Sequence, residues 1–172
     1  EEQVLRLAAL AEKAGMDGPA ASLWSYRRIG QTRDDAAGEA YDKVSKLLGL
    51  GYPGGPILDR LAGAAGDRPA PVKFGPTRIK GNAYDFSFSG LKTAVLRLVR
   101  ERTGTDPAIR AVKAAVSDDA GTMLPASDVA DIAASFQRTV VDALLDRTFE
   151  AARWLDARSI GISGGVSANS RL

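Results

Sequence analysis

The chain has 172 residues, 45% apolar and 26% charged, enough apolar surface for a core and too much for a disordered tail. Its 23 Lys and Arg against 21 Asp and Glu leave a net charge of +2, which permits a polyanionic partner without demanding one. Cys and His are both absent, so disulfides, thiolate or His-ligated metals and a Ser-His-Asp triad cannot be built from this chain alone.

At ~150 residues per domain the length fits one domain or a piece of a larger one. No apolar run approaches the ~20 residues of a bilayer crossing, and no basic-then-apolar leader opens the chain. The expectation is a cytoplasmic protein without a membrane partner.

In chain order, Glu1–Ala14 predicts an amphipathic helix, with Val4, Leu7, Ala8, Ala11 and Ala14 on one face. Ser22–Ile29 has the composition of a strand, although Arg27–Arg28 breaks its alternation. Asp34–Leu48 carries a 3.6-residue apolar stripe through Ala36, Ala37, Ala40, Tyr41, Val44, Leu47 and Leu48, with Gly49 as its stop. GYPGGP over Gly51–Pro56 predicts a turn, and Ile57–Ala64 a short helix entered through Pro56. Gly66–Ala83, with three prolines, reads as a loop.

Tyr84–Phe88 alternates like a short strand, and Ser89 can cap a helix over Gly90–Arg102 with Leu91, Ala94, Val95, Leu98 and Val99 inward. Thr103–Ala126 reads as a variable insertion with one helix around Ala108–Val116. Ser127 can cap a long helix over Asp128–Leu155 whose apolar face runs from Val129 to Phe149. Ser159–Ser163 (SIGIS) resembles a short buried strand, Gly164–Gly165 a tight turn, and Ser167–Leu172 the first turn of a further helix. This order suits a helix-rich α/β layer architecture and suggests a fragment of a larger fold.

Four constellations can carry chemistry. Asp42, Gly54–Gly55 and Asp59 place two carboxylates either side of a glycine corner, an arrangement that can accept hydrogen bonds from vicinal hydroxyls. The plainer reading is an exposed helix residue, a first-turn charge and a corner. The glycine-rich GGVSAN turn between strand and helix can point backbone N–H groups at a ligand, and Asn169 has both donor and acceptor for a purine edge. Such turns also serve packing alone. Ser87, Ser89 and Lys92 in DFSFSGLKT gather near a helix start, either as a phosphate site or as a cap with a solvated lysine. Arg27, Arg28, Arg33 and the basic residues of 97–102 either touch nucleic-acid backbone or form a solvated face. Glu39 reads as a helix carboxylate. No Walker A or HExxH pattern occurs.

Four segments in order, DDAAGEAYDKVSKLLGLGYPGG (34–55), DFSFSGLKTAV (85–95), DIAASFQRTVV (131–141) and GGVSANSRL (164–172), resemble the bacterial TsaD family. This is the catalytic subunit of tRNA threonylcarbamoyladenosine synthesis, formerly called a glycoprotease. The resemblance covers 29–172 and leaves 1–28 as an atypical segment. It implies part of an actin/Hsp70/sugar-kinase-like (ASKHA) two-lobe fold. It also implies transfer of threonylcarbamoyl from threonylcarbamoyl-AMP to N6 of adenosine 37 in tRNAs that read ANN codons, with TsaB-like and TsaE-like partners and a metal, iron. By position Asp42, Gly55, Asp59 and Asn169 match family residues that hold the adenylate.

The family's metal histidines and its SGGHT loop would lie upstream of these blocks, and its last metal-binding Asp beyond Leu172. Glu1–Ser22 shows nothing like SGGHT. The resemblance therefore implies no metal ligand in this chain and little or no transfer activity by it alone. A non-catalytic interaction module resembling TsaB is the alternative of another class. The GGVSAN and YPGG blocks favour the transferase, because a scaffold need not keep a nucleotide cleft.

Overall fold

The computed structural model describes residues 27–66, 72–75, 79–104 and 124–172. The expected helices at Glu1–Ala14 and Ala108–Val116 and most of the strand expected at Ser22–Ile29 lie outside these residues. Within them the chain forms four α-helices, α1 (Ala37–Leu48), α2 (Gly54–Ala65), α3 (Ser89–Thr103) and α4 (Ala126–Trp154), followed by a 3-10 turn over Gly165–Ala168.

Helix α1 buries Ala40, Tyr41, Val44 and Leu48 of the stripe that its spacing predicts, leaves Ala37 and Leu47 half-buried and Ala36 exposed ahead of its first turn, and ends at Gly49 in the left-handed conformation (φ 74°). It starts three residues later than expected, because Asp34 and Asp35 are engaged elsewhere. Asp35 pairs with Lys43 Nζ at 2.5 Å. Asp34 reaches α3, accepting from Phe88 N (2.8 Å), Ser89 N (3.2 Å), Ser89 Oγ (2.8 Å) and Ser87 Oγ.

That contact corrects two expectations. Ser89 is the first residue of α3 and not its cap; the acceptor for the helix start comes from 55 positions earlier in the chain. The hydroxyls and amides expected to meet a phosphate there already serve the Asp34 carboxylate. The strand expected at Tyr84–Phe88 is a single parallel bridge, Thr32 with Phe86, held by Phe86 N to Gln31 O and Arg33 N to Phe86 O, both 2.8 Å. Buried Asp85 fixes it from below, accepting from Gln31 N (3.0 Å), Asn82 Nδ2 (3.1 Å) and Arg33 Nε. The Arg33 hydrogen bond is the main reason the Asp85 carboxyl stays below the usual carboxylate range.

Helix α2 also departs from expectation. Pro53, not Pro56, flanks its start, so Gly54 and Gly55 lie inside the first turn instead of forming a corner. The reason is on α1: Asp42 Oδ1 accepts from Gly54 N at 2.8 Å and satisfies one of the N–H groups that a helix start leaves without a partner. Helix α4 starts at Ala126 behind Pro125, so Ser127 is helical and not a cap.

The core lies where α2 packs on α1 and α4, and α3 on α1 and α4. Leu58 of α2 is fully buried, α3 contributes Leu91, Val95 and Val99, and α4 contributes Val129, Ile132, Ala133, Phe136 and Val140. Tyr41 and Phe136 meet edge to face at its centre, with ring centroids 5.0 Å apart. Ala94 and Leu98 of α3 are only half-buried, and Phe149, expected on the apolar face of α4, is 48% exposed. Past that point the end of α4 leaves the core, and Trp154 stacks on Tyr84 instead, with ring centroids 5.5 Å apart.

SIGIS is not the buried strand that its composition predicts. Ile160 and Ile162 are exposed, Ile162 by 57%, and residues 159–163 form no ladder with the described residues. A strand exists through its neighbours, and apolar composition alone does not make one. The helix expected from Ser167 is also absent: the chain makes the 3-10 turn at Gly165–Ala168 and then a second turn.

Asp34 makes a pH prediction. Partial burial pushes its carboxyl up, but the hydrogen bonds from Ser87, Phe88 and Ser89 together outweigh burial and hold it at about 2, against 3.8 ordinarily. A carboxyl lowered on folding stabilises the fold above its unfolded pKa and loses that effect as pH falls through the folded value. Asp34→Ala should therefore cost about 1 kcal/mol near neutral pH, a cap-sized loss kept small by exposure. The gap between the two proteins in urea denaturation should close as the pH falls from 3.8 towards 2.

Candidate binding site

A hollow of about 970 Å³ opens between α1, the start of α2 and the 3-10 turn. Asp42, Gly55, Asp59 and Asn169 all line it, together with Tyr41, Arg60 and Val166. The four residues that the sequence singles out thus come from three separate elements into one concavity, a size range usual for small-molecule sites.

Each carboxylate uses one side for structure. Asp42 Oδ1 caps α2 through Gly54 N, and among the described residues no protein donor reaches its Oδ2. Asp59 Oδ1 accepts from Ser170 Oγ (2.7 Å), Gln137 Nε2 (3.0 Å) and Ser170 N (3.2 Å), while its Oδ2 meets Ser170 N only, at 3.3 Å. Both side chains therefore retain acceptor capacity in the oxygen that structure uses least.

The two glycines divide their roles. A Cβ on Gly54 would stand 2.6 Å from Tyr41 O and 2.8 Å from Asp42 Cα, so only glycine lets α2 approach α1 this closely. A Cβ on Gly55 would meet nothing within 4 Å. Gly55 faces the hollow and Gly54 holds the helices together. The resemblance points to Gly55 alone; the packing demand on Gly54 needs the structure.

Asn169 follows the 3-10 turn. Its Nδ2 donates to Gln137 Oε1 (2.9 Å) and towards Tyr41 OH (3.4 Å), and its Oδ1 accepts from Arg171 N (3.1 Å). Val166 of the turn comes within reach of Gly38 on α1, so the turn is anchored to the same helix that carries Asp42. Burial, and secondarily the Asp59 charge, push the Tyr41 hydroxyl well above the ordinary phenol range, against the Asn169 hydrogen bond. The phenol therefore stays protonated.

Gln137, Tyr41 and Ser170 are site residues that the sequence reasoning missed. Gln137 had a signal: it stands four residues after Ala133 on the apolar stripe of α4, and it is buried with 3% exposure. A polar side chain on a buried stripe needs partners, and here they are Asp59 and Asn169. Tyr41 had a weaker one, a polar tip on a core residue beside Asp42.

The other candidates do not converge on the hollow. Glu39 pairs with Lys43 at 2.8 Å, which keeps its carboxyl low. Arg33 pairs with Asp85, Arg102 with Asp128 at 2.7 Å, and Arg27 lies over the Trp154 ring at 5.2 Å. Among the described residues no group of three or more Asp or Glu gathers to hold an ion, and the chain has no His or Cys. No helix of the described residues is long and apolar enough to cross a membrane.

A family model described as TsaD, tRNA N6-adenosine threonylcarbamoyltransferase, matches residues 19–172. Curated relatives named tRNA N6-adenosine threonylcarbamoyltransferase agree with it. That of Anaeromyxobacter dehalogenans (strain 2CP-1 / ATCC BAA-258) is 47% identical over 148 residues, 86% of this chain and 38% of the relative. That of Trichodesmium erythraeum is 46% identical over 151 residues, 86% of this chain and 42% of the relative. That of Koribacter versatilis is 46% identical over 168 residues, 87% and 43%. The chain belongs to the TsaD family, a family of tRNA-modifying transferases, and spans about two-fifths of the length of these relatives.

The glycine pair gives a test of the packing. Gly54→Ala should lower stability by about 1–3 kcal/mol, because backbone cannot yield as a side-chain tip can. Gly55→Ala should leave stability within about 0.5 kcal/mol, alanine being no worse in a helix. Urea denaturation of the two variants distinguishes them, and equal losses would show that α1 and α2 do not touch at Gly54.

Proposed function

We propose that this chain supplies the adenylate-binding wall of a tRNA threonylcarbamoyltransferase. The observation that carries the reading is the convergence of Asp42, Gly55, Asp59 and Asn169 on one hollow, in a chain of the TsaD family. The least-used carboxylate oxygens of Asp42 and Asp59 suit the two ribose hydroxyls, which donate. Asn169 suits the base, and Gly55 leaves room for the nucleotide against α2.

In this reading residues 29–172 form part of an actin/Hsp70/sugar-kinase-like lobe, and the protein works in the cytoplasm with TsaB-like and TsaE-like partners. The substrate is threonylcarbamoyl-AMP, a mixed anhydride of a carbamate and a phosphate. The adenine N6 amine of the tRNA attacks the carbamoyl carbon. A C–N bond forms, the bond from that carbon to the phosphate oxygen breaks, AMP leaves, and the amine loses a proton. This chain's residues contribute by holding the adenylate in place, the proximity part of catalysis. Among the described residues no group of three or more acidic side chains gathers to hold the family's iron.

Two measurements test the proposal. In calorimetric titration with AMP, Asp42→Asn keeps an acceptor for Gly54 N while removing the charge, and Asn169→Ala removes the amide. Each should weaken binding about tenfold or more, the worth of one charged or well-placed hydrogen bond. Absence of AMP binding by the wild-type chain, or unchanged affinity in both variants, would overturn the reading. Incubated with tRNA and threonylcarbamoyl-AMP, the 172-residue chain alone should form little or no threonylcarbamoyladenosine; robust modification would contradict the limited role proposed for it.

A further inference from the structure

A second, smaller concavity of about 280 Å³ adjoins the hollow. The two share Gly63 of α2 and Ser170, so they open side by side across one partition. That partition is a hydrogen-bonded group. Asp59 Oδ1 accepts from Gln137 Nε2 at 3.0 Å and from Ser170 Oγ at 2.7 Å. Asp59 lines the hollow and not the smaller concavity, whereas Gln137 lines the smaller concavity and not the hollow.

Charge divides along the same line. The hollow has Asp42 and Asp59 in its wall. The smaller concavity has Arg138 of α4 and Arg171, and among the described residues no acid lines it. Arg138 is half-buried and engaged within the protein as well. Arg171 is exposed, and its backbone N–H, not its guanidinium, donates to Asn169. Arg33 and Arg102, by contrast, each pair with an aspartate.

Two guanidinium groups around one small concavity, with the nearest carboxylate held on the far side of the partition, make a place for an anion. The planar fork of arginine matches phosphate oxygens in pairs. A phosphate could come from the nucleotide itself or from an RNA backbone, and the arrangement favours the RNA. The groups suited to the nucleotide's hydroxyls and base lie on the acidic side, in Asp42, Asp59 and Asn169. The basic side is reached from solvent through exposed Arg171. An RNA whose adenine must reach the mouth of the hollow lays its backbone over the surface beside it, where phosphate contacts fix register.

We propose that Arg138 and Arg171 hold a backbone phosphate of the tRNA beside the adenylate hollow, so that the two substrates are received on opposite sides of one polar partition. The inference takes the identity of the polyanion from the transferase reading above and adds the surface that meets it.

The test is binding of fluorescently labelled tRNA to the 172-residue chain over a series of KCl concentrations. Arg171→Gln should weaken binding about three- to tenfold near physiological salt and reduce the slope of log affinity against log salt by about one. Arg138→Gln should act in the same direction in a protein whose circular dichroism matches the wild type; should it fail to fold, exposed Arg171 still decides the matter. Arg153→Gln is the control. It removes the same charge from an exposed position ~22 Å further along α4 than Arg138, well beyond the screening length of about 8 Å, and should change tRNA affinity by less than about twofold.

AMP affinity of Arg171→Gln, measured by calorimetric titration, should stay within about twofold of the wild type, because the arginines serve the other substrate. A larger fall would assign them to the nucleotide's own phosphate and overturn the RNA contact. Equal effects of Arg171→Gln and Arg153→Gln on tRNA affinity and salt slope would overturn it as well, as would a wild-type chain that does not bind tRNA. A wild-type chain that binds tRNA in the expected way but not AMP would instead remove the adenylate reading and leave this contact standing, so the two failures are told apart.

Discussion

Helices α1 and α2 can share a wall of the hollow only because their backbones touch at Gly54. The next residue, Gly55, then faces inward, and Asp42 is brought within 2.8 Å of the first amide of α2. One contact therefore sets three things: where α2 begins, where its second-turn carboxylate Asp59 stands, and which oxygen of Asp42 is left for a ligand. A wider spacing would separate the two carboxylates and leave the helix start uncapped. The approach is local in sequence, twelve residues from Asp42 to Gly54, so little chain entropy opposes it.

The other wall depends on distant residues. Asp59 and Ser170 are 111 positions apart, and Asn169 and Tyr41 128, yet both pairs hydrogen-bond. These contacts tie the end of the described chain to the α1–α2 pair through polar groups, whereas the helices meet through apolar ones. Polar ties of this kind add little net stability but fix geometry strictly, because a half-satisfied network is costly. The apolar layer holds the helices together, and the polar ties decide how the last turn faces them.

Much of this was legible in the amino-acid sequence. The stripes of α1 and α4 repeat at helical period over several turns, and most of their residues are buried, Ala40, Tyr41, Val44 and Leu48 on α1 and Val129 to Val140 on α4, while Ala36 and Leu47 are not. Helix starts were less legible, because none of the four helices is capped by the side chain of its own preceding residue. Asp34 and Asp42 each cap a different helix from the one they precede or occupy, and no window of neighbouring residues contains that information. SIGIS misled for a related reason: Ile160 and Ile162 have strand composition, but pairing is a property of two segments. Within the hollow, Asp42, Gly55, Asp59 and Asn169 stood out by motif, while Gln137 was hidden in an apolar stripe where a polar side chain is easily passed over.

Tyr41 has its ring against Phe136 in the core and its hydroxyl at the edge of the hollow. Ordinarily a protein can drift in its interior without altering what it recognises, and can retune recognition without reworking its interior. At this position the two freedoms are fused, so a change of side chain reshapes the core and the wall of the hollow together. Evolutionary latitude in this wall is accordingly displaced to the mouth of the concavity, where Arg60 stands exposed and a new side chain can be tried without disturbing the layers beneath.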